Sequence, residues 1–112
     1  MLIYKILTAP QWAQFQADGH FDGAPIDLID GYIHFSDANQ AAETAAKHFT
    51  AQTGLKLAAC DADGFGADLK WEKSRGDALF PHLYRPSLTM ADVVWCRDLP
   101  FENGAHVFGD LT

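Results

Sequence analysis

The chain has 112 residues, enough for one hydrophobic core and too few for two. Apolar residues make up 48% and charged residues 21%, which excludes a collagen-like chain, a disulfide scaffold and a disordered tail. Eight basic against fifteen acidic residues leave a net charge of −7, which argues against anionic membrane surfaces and extended nucleic-acid contacts.

MLIYKILTAP carries one Lys and no small-residue cleavage site, so it reads as a strand, Leu2 to Leu7, and not as a signal peptide. Thr8 and Gln11 form a capping-box pattern around Pro10, opening a helix that carries Trp12 and Phe15 and ends near Gly19. From Gly19 to Gly31 the chain is rich in Gly, Asp and Pro and is expected to be an ordered loop. Gly31 to Ser36 (GYIHFS) is a short strand. Asp37 and Gln40 then start a second helix, with Ala38, Ala41, Ala42, Ala45 and Phe49 at helical spacing.

Leu55 to Cys60 forms the next strand, followed by a turn over Asp61 to Gly66. Ala67 to Ala78 is polar around one large aromatic. Leu79 to Tyr84 and Asp92 to Asp98 read as further strands, and Val107 and Phe108 can add a short one. These elements describe one α+β domain over residues 1–112. Cys60 and Cys96 lie apart within apolar runs, as expected of buried, reduced thiols in a cytoplasmic protein.

Three clusters can carry chemistry. His34 and Ser36 share one face of a strand that runs into a helix start, where unpaired amides favour an anion such as phosphate. The plainer reading is a capping Ser and a structural His. Lys70-Trp71-Glu72-Lys73-Ser74-Arg75 gathers three of the eight basic residues into six positions. A Trp for a base, cations for phosphates and a carboxylate for a ribose hydroxyl suit a nucleotide, although a solvated loop pinned by the Trp looks the same. His82 and Tyr84 share a face of an extended segment, placing an acid–base group beside a hydroxyl donor.

DADGFGADLKWE partly matches a calcium loop, but Phe65 stands where an oxygen ligand is required, so a β-turn is expected. The five His residues show no HxxxH or HxH spacing, and no P-loop, GxGxxG or GxSxG motif is present.

IYKI, DGYIHFS, Gln40, LKWEKS and FPHLY, in that order, resemble the bacterial family known as domain of unknown function 952, over nearly the whole chain. More distantly, IYKIL, YIHFS and VVWCRDLP are similar to strands of the RNA 2′-phosphotransferases, members of the ADP-ribosyltransferase superfamily. That similarity implies a small split β-sheet with two or more helices and a cleft for NAD or an ADP-ribosylated substrate. It places Tyr4 and Lys5 at the cleft, His34 and Ser36 on its floor, and His82 and Tyr84 on a neighbouring strand. Lys5 stands where the superfamily has a ribose-orienting His.

The resulting expectation is a transferase acting on NAD or a small nucleotide. His34, Glu72 and His82 would be its catalytic groups, with Glu72 facing an oxocarbenium-like C1′. Tyr4, Lys5, Ser36, Trp71, Lys73, Ser74, Arg75 and Tyr84 would be ligand-binding. A nucleotide-binding module without turnover and a His-based hydrolase are the alternatives. A monomer without a membrane partner is the default expectation.

Overall fold

Strand β1 (Leu2–Leu7) alternates between two interiors. Ile3 and Leu7 enter one core with Phe15, Phe21, Ile33, Phe35, Phe65 and Leu83. Tyr4 and Ile6 enter a second with Leu55, Leu57 and Leu99. A strand buried on both faces must be flanked, and in the computed structural model, which describes residues 1–74 and 76–111, it pairs antiparallel with β4 (Leu55–Asp61). Alternating β4 residues supply both cores, and β4 also pairs antiparallel with β8 (Val93–Leu99), giving the sheet order β1-β4-β8.

A second antiparallel sheet has the order β3-β6-β5, from β3 (Ile33–His34), β6 (Leu79–Leu83) and β5 (Leu69–Lys73). Backbone pairing joins the two sheets at the bridge between Tyr4 and Ser36. Tyr4 N–H donates to the Ser36 carbonyl at 2.8 Å and Ser36 N–H returns a bond to the Tyr4 carbonyl at 2.9 Å.

Helix α1 (Ala9–Asp18) starts with the reciprocal Thr8–Gln11 capping box and stops at Gly19, whose φ of 79° is left-handed. Asp37 and Gln40 also cap reciprocally: Asp37 Oδ1 accepts from Gln40 N–H and Gln40 Oε1 from Asp37 N–H. Regular helix α3 begins only at Ala41 and runs to His48, and Gln40 Nε2 ties its start to the Leu79 carbonyl at 2.7 Å. Of the alanines at helical spacing, Ala41 and Ala45 are buried whereas Ala38 and Ala42 face solvent. The α+β class therefore holds.

The segment expected as a loop from Gly19 to Gly31 is not one. It contains β2 (His20–Phe21), paired with β7 (Leu88–Thr89), and helix α2 (Pro25–Asp30). The polar stretch Ala67 to Ala78 likewise contributes β5, because pairing with β6 satisfies its backbone. In the tail, the strand falls upstream of Val107: β9 (Phe101–Glu102) and β10 (Ala105–His106) form a hairpin turning at Asn103 and Gly104, both with positive φ. The calcium-like segment is a 3₁₀ turn over Ala62–Asp68; Phe65 is in the core, and Asp61 and Asp63 face the N-terminal ammonium.

Candidate active site

Lys5 lies between Ile3 and Leu7 on the core face of β1, where an unpaired ammonium would be prohibitively costly. Its partner comes from α2. Pro25 sets the first helical turn and places Asp27 at its third position, buried at 2% exposure. Lys5 Nζ reaches both Asp27 oxygens, at 3.0 and 2.9 Å. The Asp27 carboxylate also accepts from Ala24 N–H at 2.8 Å, His34 N–H at 3.0 Å and His34 Nδ1–H at 2.6 Å.

Burial alone would push the Asp27 carboxyl up. The His34 bond, then the Lys5 charge and bond and the Ala24 amide, outweigh it and hold the group down at about 2. Burial pushes Lys5 below the usual lysine range, against the opposing pull of Asp27. The two side chains are fully engaged, and with His34 they fix β1, α2 and β3 to one another.

His34 Nε2 points the other way and donates to Asp30 Oδ2 at 3.0 Å, so each ring nitrogen faces a carboxylate. Directly across the β3–β6 ladder is His82, with ring centroids 5.4 Å apart. His82 Nδ1 donates to Glu72 Oε1 at 2.9 Å, and Tyr84 OH donates to the same oxygen at 2.7 Å. Those two donors, Tyr84 first, hold Glu72 below the usual carboxylate range, and the same bond pushes Tyr84 up to about 12. Burial lowers the His82 pKa, overcoming the nearby Glu72. With a proton fixed on Nδ1, a neutral His82 presents Nε2 as an acceptor. Tyr32 stacks on the His82 ring at 4.1 Å.

Beside the seam of the two sheets opens a cleft of about 650 Å³, lined by Lys5, His34, Ser36, Thr44, Ser74 and His82 among others. Ser36 and Thr44 share a hydroxyl hydrogen bond of 2.7 Å. Ile26, Phe49 and Phe80 supply apolar wall. Such a volume and lining fit a small-molecule site. Neither thiol lines the cleft: Cys60 is buried, as expected, and burial pushes it up to about 12, whereas Cys96 is only half-buried, pushed to about 11.

The family model for "Protein of unknown function (DUF952)" matches residues 6–96. The chain belongs to this family. Protein CC0527 from Caulobacter crescentus, known from a crystal structure, is 48% identical, with a TM-score of 0.90 over 96% of this chain and 94% of that one. Its solution NMR structure, also 48% identical, gives a TM-score of 0.84 and covers 94% and 90%. Among curated proteins nothing matches.

In this DUF952 chain the fold brings His34, His82 and Glu72 into one connected cluster. Glu72, however, is not part of the cleft lining; it engages His82 from behind, with Tyr84. Lys5, Ser36 and Ser74 line the cleft. Tyr4 contributes to its wall while its hydroxyl donates to the Leu111 carbonyl at 2.8 Å. Trp71 and Lys73 lie on the opposite face of β5 from Glu72, because side chains alternate along a strand. Neither lines the cleft; Trp71 is 38% exposed and Lys73 sits near Asp77. Arg75 lies outside the described residues.

The sequence reasoning missed Asp27, Asp30 and Tyr32. Asp27 had a readable signal, since Pro25 followed two residues later by an acid is a helix-start pattern. Tyr32 had one too: it shares strand parity with His34 and Ser36. Among the described residues no three His, Cys, Asp or Glu side chains are placed so that they could hold one metal ion, and no helix is long and apolar enough to cross a membrane.

Proposed function

We propose that the cleft at the seam binds a nucleotide and that the chain is an ADP-ribosyltransferase-like transferase acting on NAD or a small ADP-ribosylated or nucleotide substrate. One observation carries the reading: His34 and His82, from adjacent strands of one sheet, converge with Lys5 from the other sheet on a cleft of about 650 Å³. The distant similarity of IYKIL and YIHFS to the 2′-phosphotransferases supports the choice of ligand.

In this reading His34 and the Ser36–Thr44 hydroxyls hold ribose or phosphate oxygens. The reaction breaks the C1′–nitrogen bond of NAD, whose electron pair leaves with neutral nicotinamide, while an acceptor oxygen bonds to C1′ and its proton passes to His82 Nε2. Glu72 is then a positioning residue: it fixes the His82 tautomer and stabilises the charge that the ring acquires. Trp71, Lys73 and their strand face have no part in it.

A second reading is a binding module without turnover, favoured by the complete engagement of Lys5 by Asp27. Incubation with NAD or ADP-ribosylated phosphate, followed by chromatography, separates the two: product supports the transferase, and a thermal shift without product supports the module. His34→Ala is expected to keep the native circular dichroism and lose the ligand-induced thermal shift. An unchanged shift in that variant contradicts both readings.

A further inference from the structure

The polar groups of this cluster are already matched. Lys5 is taken up by Asp27, and the two ring nitrogens of His34 face Asp27 and Asp30, so the cluster offers a phosphate no unoccupied partner. An anionic ligand therefore has to replace one of the two acids. Asp27 cannot leave, because it is buried and accepts from Lys5, His34 and the Ala24 amide at once.

Asp30 differs in each respect. Its side chain is 35% exposed, it lines the cleft, and its bond to His34 Nε2 is at the cleft side of the ring. It is also the last residue of α2, where a carboxylate opposes the helix dipole, so helix stability does not account for it. The next two α2 side chains back along the chain, Ile29 and Leu28, are exposed and do not pin that end.

We infer that Asp30 is an internal stand-in for a phosphate oxygen of the ligand: it occupies His34 Nε2 and is displaced by a diphosphate. This rests on the nucleotide reading of the cleft and adds a selectivity device to it. A weakly held monoanion does not compete with the tethered carboxylate. A diphosphate does, because it brings more charge and more oxygens to His34 and the adjacent hydroxyls.

The test is calorimetric titration of inorganic pyrophosphate and of ADP-ribose into the wild-type chain, Asp30→Asn and Asp30→Ala, with the His34 imidazole nitrogens followed by NMR. Loss of an acid from a helix C-terminus is not expected to unfold the chain. Pyrophosphate is expected to bind Asp30→Ala roughly tenfold more tightly than wild type, the scale of one charged hydrogen bond, and to move the His34 Nε2 resonance. Equal or weaker binding by the variants, or no pyrophosphate binding by any of the three, overturns the inference. Tighter pyrophosphate binding without ADP-ribose binding upholds the stand-in and removes the nucleotide reading. Equal ADP-ribose affinity in all three does the reverse.

Discussion

Asp27 is the residue on which the site's geometry depends, and its energetics are asymmetric. Asp27→Asn leaves the Lys5 ammonium buried beside a neutral amide, and such breakage of a buried pair costs about 3–5 kcal/mol. Lys5→Met removes the cation but leaves Asp27 with its His34 and Ala24 bonds, so it is expected to cost less. Urea unfolding of the two variants checks the order. The pH dependence follows from the same residues. Asp27 drops from 3.8 to about 2 on folding, so its contribution, about 2–3 kcal/mol, is fully present above pH 3.8 and is lost as pH falls through 2. His82 adds an earlier step. Its folded pKa lies below 6.5, so the unfolded chain takes up the proton first and stability declines as pH falls below 6.5. Denaturation midpoints across pH 2–8 should show both declines; His82→Gln should remove only the upper one.

At the scale of elements, what the sequence announced was what local chemistry determines. β1, α1 and β4 show in the apolar runs and in the Thr8–Gln11 box, because strand alternation and capping are settled by near neighbours. Helix α2 did not show. Its six residues expose Ile26, Leu28 and Ile29, so no amphipathic pattern marks it, and it is held by Asp27 reaching Lys5 22 positions earlier. β5 was obscured for a similar reason: its polar residues are tolerated because one of its faces carries Glu72 and Lys70 toward His82 and Tyr84. The end of α2 offers an element-level test. Gly31 adopts φ 84°, and a Cβ there would meet nothing within 4 Å, so Gly31→Ala isolates the backbone cost. The variant is expected to lose about 1 kcal/mol in denaturant unfolding.

For the whole molecule, the candidate site arises from how the two sheets are joined. The Tyr4–Ser36 bridge joins their backbones, a shared core packs them together, and the cleft beside the bridge receives Lys5 from one and His34 and His82 from the other. The pairing of His34 with His82 was legible only as two separate motifs. Their juxtaposition depends on the β3–β6 register, which no local pattern encodes. The cluster around Trp71 misled for the opposite reason: neighbours in sequence lie on opposite faces of a strand, so Glu72 turns toward His82 while Trp71 and Lys73 turn away. The direct test is an amide and imidazole chemical-shift map of the chain titrated with ADP-ribose. The account predicts perturbations centred on Lys5, His34, Ser36, Thr44 and His82. Perturbations centred on Trp71 and Lys73, or none at saturating ligand, would contradict it.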